Sequence, residues 1–186
     1  MELEFRSGEL RASSPGRLTG YVARFGSETR IGDFFERVMP GAFTASLADG
    51  RNITALAHHD RRALLGSTAS GTLKLNEDDH GLQFDLVLPN TTIGRDIQEL
   101  VQRRDIQGMS FGFTVPDGGD VWLDRGDGSM LRELRNVSLA EVTVTASPAY
   151  PNTKLAMRSR RAHEDASNFA DFIRNPIHVR WLETCR

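Results

Sequence analysis

Between Gly81 and Leu88 the chain alternates, with Leu82, Phe84, Leu86 and Leu88 in one phase and Gln83, Asp85 and Val87 in the other. A period of two is that of a half-buried β-strand; wound as a helix, the same residues would scatter four large apolar side chains around its circumference. The preceding Asn76-Glu77-Asp78-Asp79-His80-Gly81 is dense in turn formers and predicts a hairpin with Gly71–Leu75. Further short segments rich in β-branched or aromatic residues predict strands at Gly20–Phe25, Ile53–His58, Phe111–Val115, Val121–Leu123 and Val137–Thr145.

Helical spacing is scarce. Ile93, Ile97, Leu100 and Val101 fall at i, i+4, i+7 and i+8, which predicts a helix over 93–106 with Thr91 or Thr92 as N-cap and Gly108 as stop. A shorter helix is expected at Ala42–Ala48. The Gly- and Asp-rich stretch 116–130 reads largely as loop. Many short strands with no βαβ alternation predict a mainly β fold, an antiparallel sheet closed or folded on itself with helices outside.

Charge divides the chain. Residues 1–157 carry 17 basic and 21 acidic side chains, whereas 158–186 carry 6 and 4. The body, 1–157, is therefore expected to be one domain and 158–186 a basic tail with one short helix around Ala166–Arg174. A formal net charge of -2 argues against a chain that coats nucleic acid, because such chains need a basic excess to displace phosphate counterions. The single Cys185 excludes a disulfide framework and a Cys-rich zinc site. Met1–Arg11 does not resemble a signal peptide, and no stretch approaches membrane-spanning length, so a soluble protein made in the cytoplasm is expected.

The stretch with the most chemistry is Gly108-Met109-Ser110-Phe111-Gly112-Phe113. It satisfies Gly-x-Ser-x-Gly, but the α/β-hydrolase elbow runs from strand into helix, and here a helix precedes the serine and a strand follows it. Glycines on either side still suit a nucleophile, since they permit close substrate approach and leave neighbouring N–H groups to hold an oxyanion; the plain alternative is a strand-start serine in a tight turn. A serine nucleophile needs a base. His80 sits in an acidic turn, while His58-His59-Asp60 ends a strand, and alternation puts His59 on the face of Ile53, Ala55 and Ala57. A metal site on His58, His59 and Asp60 lacks a third ligand at a familiar spacing. Glu141 is the sole charged residue of Val137–Thr145, and is either buried and paired or on an edge strand facing water.

Together these pieces resemble the prohead (capsid maturation) serine proteases of HK97-like tailed phages. The resemblance runs over about 17–157 and rests on Gly20-Tyr21-Val22-Ala23-Arg24-Phe25, on Glu36 with Pro40-Gly41-Ala42-Phe43, on His59-Asp60 with Leu65-Gly66, on the helix leading into Gly108–Phe113, and on Leu139–Thr145 with Pro148-Ala149-Tyr150-Pro151. It implies a closed β-barrel similar to the herpesvirus assembly proteases, and a serine endopeptidase that cuts scaffold and capsid-protein segments in the prohead and processes itself. Ser110 would be the nucleophile, His59 the general base and Glu141 the third member, with His58 kept as an alternative base. No cofactor or metal is implied. The partners would be the major capsid protein and its scaffold segment, homo-oligomers are allowed, neither nucleic acid nor membrane is expected, and the place of action would be the assembling prohead in the host cytoplasm. The rival readings are an inactive assembly module of the same fold and a metal hydrolase.

Overall fold

The alternating segment is a strand whose Leu82, Phe84 and Leu86 are buried, paired antiparallel with Leu73–Glu77. A computed structural model describes residues 4–146 of the chain. In chain order the elements are β1 Glu4–Ser14, β2 Arg17–Arg24, β3 Thr29–Ile31, β4 Phe34–Val38, α1 Thr44–Ala48, β5 Thr54–Ala57, β6 Asp60–Ser67, β7 Leu73–Glu77, β8 Gly81–Val87, α2 Thr92–Gln102, β9 Gly108–Thr114, β10 Asp120–Asp124, β11 Met130–Leu134 and β12 Ser138–Thr145. The expected tail helix lies outside the described residues.

Eight strands form one sheet in the order β6-β5-β12-β9-β1-β2-β8-β7, and four form another, β10-β11-β4-β3. The large sheet curls until its ends meet. Gly66 of β6 sits so close to Leu86 of β8 that a Cβ there would come within 2.8 Å of the leucine Cδ1. The result is a nearly closed barrel, filled by Leu18, Val22, Phe84, Phe111, Phe113 and Val142 among others. Phe43, at the start of α1, meets Phe111 edge-on at 5.7 Å and stacks on Phe25 at 6.4 Å. Ile97 and Val101 of α2 complete the core. Thr91 caps α2 by accepting a hydrogen bond from the Gly94 N–H.

Two expectations need correction. The sheets are not wholly antiparallel, because β12 runs parallel to β5 and β11 parallel to β4. β5 spends its hairpin on β6, so its other edge is taken by a strand arriving from far along the chain, which is free to run either way. The helix also ends earlier than predicted. Arg104 takes φ 67°, the Asp105 N–H donates to the Leu100 carbonyl and the Arg104 N–H to Val101. That is a Schellman stop with arginine in the place usually held by glycine, so Gly108 is left to begin β9.

β1, β4 and β11 escape a hydropathy reading because their charges are internal. Arg6 of β1 donates from Nη2 to Glu4 at 2.8 Å and to Glu36 of β4 at 2.7 Å, and its Nε also bonds Glu36. Arg132 of β11 donates from Nη1 to Glu4 at 2.7 Å and from Nε to Asp120 at 2.7 Å. Glu4, Arg6, Glu36 and Arg132 are all buried, and the cluster ties the barrel to the small sheet. Burial alone would raise the Glu4 pKa, but the bonds and charges of Arg132 and Arg6 outweigh it and hold the carboxyl below its ordinary value of 4.5. A depressed pKa contributes stability above the ordinary value that is lost as pH falls through the folded one. Glu4→Gln, which leaves part of the arginine charge unanswered, is therefore expected to cost about 3 kcal/mol at neutral pH and to flatten the loss of stability below pH ~4.5, read by denaturant unfolding across pH.

Candidate active site

β9 shows two different faces. Met109, Phe111 and Phe113 point into the barrel, and alternation places Gly108, Ser110 and Gly112 on the outside. β12 lies alongside with the same division. Val142 and Val144 pair with Phe111 and Met109 in the core, while Glu141, Thr143 and Thr145 stand opposite Gly112, Ser110 and Gly108 on the outer face. The Gly-x-Ser-x-Gly pattern thus describes a strand, with no side chain rising beside Ser110 along β9 itself. Ser110 is the third residue of that strand and not a turn residue. Its hydroxyl is buried with no hydrogen-bond partner, a costly condition for a polar atom and one that a substrate group could relieve.

His58 and His59 are the two central residues of the β5–β6 hairpin. Ala57 pairs with Asp60, and the histidines take φ 52° and 60°, the left-handed values of a type I′ turn. Asn-Gly is the usual occupant, so a pair of histidines here is strained by about 1–3 kcal/mol each. The turn is anchored to β12 by a bond from the His58 N–H to the Val144 carbonyl at 3.0 Å. Strand alternation does not apply inside a turn, and His59 does not share the face of Ala55 and Ala57. Its Nδ1 lies 2.7 Å from Glu141 Oε1, on the outer face. His58 and Asp60 are exposed.

Glu141 is on an interior strand between β5 and β9 and is 6% exposed, so of the two readings the buried one applies. It accepts from His59 and, at 3.4 Å, from the Thr143 hydroxyl. A carboxylate accepts only, so the proton of this bond is on Nδ1, and in the neutral imidazole the lone pair is then on Nε2, which is shielded from solvent. Thr143 is the residue that sequence reasoning missed. It pairs with Ser110 on one side and Leu56 on the other, and its hydroxyl donates to Glu141. Its only sequence signal was its position two residues beyond Glu141, on the same face.

β9 has a paired strand on each side, β1 and β12, so its N–H groups serve the ladders. The N–H groups of the residues beside Ser110 are therefore not spare, which leaves a nearby loop, the other expected source, for an oxyanion donor. Among the described residues no group of three or more His, Cys, Asp or Glu gathers as metal ligands would, and no helix is long and apolar enough to cross a membrane.

The family model of caudovirus prohead serine proteases matches residues 1–167. The chain belongs to this family. The assignment carries a protease role in phage capsid maturation. The matched region runs past residue 157, where the sequence reading placed the end of the body. No curated protein and no solved structure matches the chain.

The turn geometry has a measurable consequence. Glycine adopts φ near 52° without strain, so His58→Gly is expected to stabilise the protein by about 1 kcal/mol, roughly 3 °C in Tm, while leaving the His59–Glu141 bond in place. Calorimetric scanning of the two proteins checks it; a fall in Tm would contradict the type I′ turn.

Proposed function

We propose that the protein is a serine endopeptidase in which Ser110 is the nucleophile, His59 the general base and Glu141 the group that orients the imidazole. The observation that carries this reading is the 2.7 Å bond between His59 Nδ1 and a buried Glu141, which sets the histidine tautomer on the same face as an unpartnered serine hydroxyl. In the proposed reaction, His59 Nε2 takes the Ser110 proton as Oγ attacks the scissile carbonyl, and it returns that proton to the leaving amine. Glu141 holds Nδ1–H and stabilises the imidazolium that forms. Water then repeats the sequence on the acyl-enzyme, with the histidine again as base and then as acid.

Family membership supports capsid-protein scaffold segments as the substrate, with the assembling prohead in the host cytoplasm as the place of action. Self-processing belongs to the same proposal, and so does the division into a catalytic body at 1–157 and a tail at 158–186. No cofactor enters the chemistry.

Co-expression with the cognate capsid protein, followed by intact-mass measurement of the products, tests the reading. Wild type is expected to shorten the capsid protein; Ser110→Ala and His59→Gln are expected to lower the rate at least ~10³-fold, and Glu141→Gln about 10²–10⁴-fold, because an amide can present the wrong group to Nδ1. Shortening at the wild-type rate by Ser110→Ala would sink the nucleophile assignment.

A further inference from the structure

A groove of about 740 Å³ opens at one end of the Ser110 strand, lined by Glu9 and Arg11 of β1 and by Gln102, Arg104 and Gln107 at the end of α2 and in the loop into β9. The groove sits at the end of the barrel, where Leu10, Val101 and Ile106 of the core form its inner side and Glu9 and Arg11 its outer side, on the serine's face. Glu9 pairs with Gly108, which shares the outer face with Ser110, and Arg11 is two residues further along β1 on that face. Most arginines in the described residues are matched to carboxylates, as Arg17 is to Asp85, Arg37 to Glu133 and Arg125 to Glu28. Arg11 and Arg104 are not, nor are Arg30, Arg61, Arg62 and Arg95; the two in the groove are exposed, and among the described residues no carboxylate pairs with either. The one carboxylate in the groove, Glu9, is 3.5 Å from Arg24 on the neighbouring strand. Arg104 moreover occupies the left-handed C′ position of α2, at φ 67°, where glycine would be more stable. Its side chain is kept at the expense of the helix stop.

We propose that this groove is a specificity subsite that receives an acidic side chain of the polypeptide substrate through Arg11 and Arg104. The inference rests on the peptidase reading of Ser110. Gly108 is about 7 Å from Ser110 along the strand, and Arg11 lies roughly 13 Å along, so an extended peptide laid on this face presents to the two guanidiniums a residue two to four positions from the scissile bond. Guanidinium is suited to a carboxylate because it can donate two parallel N–H bonds to it.

Two measurements on the full-length chain test the subsite. In the first, fluorescein-labelled tetraglutamate is titrated onto Ser110→Ala protein. It is expected to bind more tightly than tetraglutamine, and Arg11→Gln with Arg104→Gly is expected to weaken it about tenfold, while Arg30→Gln on the small sheet leaves it unchanged. Arg104→Gly relieves the left-handed strain, so the double variant should melt no lower than its parent and lost binding would not reflect lost fold. Equal binding of the two peptides, or undiminished binding by the double variant, overturns the proposal.

In the second, cut sites in a proteome-derived peptide library are mapped by mass spectrometry. Wild type is expected to enrich Asp and Glu at one position two to four residues from the cut, and the double variant is expected to cut without that enrichment. Cutting by wild type with no acidic preference removes the subsite and leaves the peptidase reading standing. Tetraglutamate binding that depends on the two arginines, with no cutting by wild type, keeps the acidic groove and removes the peptidase reading.

Discussion

A carboxylate in the middle of a sheet has to be answered. Glu141 lies on a strand with neighbours on both sides, shielded from water, and cannot carry its charge there without donors. The donors are the His59 ring and the Thr143 hydroxyl. The histidine can reach only because β5 is hydrogen-bonded to β12 and because the turn after β5 is tight enough to fold its second residue back over that strand. The left-handed backbone at His58 and His59 is the strain that this geometry requires, and the ladders on either side of the turn sustain it. Sheet order, turn type and imidazole tautomer therefore follow from one another.

Two groups of charges in the molecule are handled differently. Those of Glu4, Arg6, Glu36 and Arg132 are sealed between the sheets and answer one another, which fixes how the small sheet sits on the barrel. Such a cluster specifies one arrangement at considerable desolvation cost. On the outer face of β9 and β12 the pattern differs, with Glu141 and small or hydroxylated residues around a single serine and, among the described residues, two guanidiniums without a carboxylate at the far end. The first arrangement is complete in itself, and the second leaves the Ser110 hydroxyl without a hydrogen-bond partner.

How much of this was legible in the sequence depended on whether a side chain's role matched its type. The β8 alternation and the helical spacing from Ile93 to Val101 are apolar signals serving apolar ends, and both could be read directly. β1 and β11 were hidden because Arg6, Glu4 and Arg132 are interior residues of exterior type. Ser110 stood out through its flanking glycines, although they mark a smooth strand face and not a turn. His59 was singled out by counting along a strand that had already ended, and the left-handed turn that actually directs its ring has no signature in two consecutive histidines. Thr143 was invisible because a threonine in a strand is what any exposed strand would carry.

The position of β12 has a temporal meaning. It is inserted between β5 and β9, strands that are not neighbours without it, and among the described residues it is the last strand of the barrel in chain order. It carries Glu141, anchors the histidine turn through Val144, and sets Thr143 beside Ser110. A chain still on the ribosome, even with Ser110 and His59 already made, has neither its imidazole oriented nor its barrel shut. The order of synthesis thus places the meeting of the two ring partners after almost the whole of the barrel has been made.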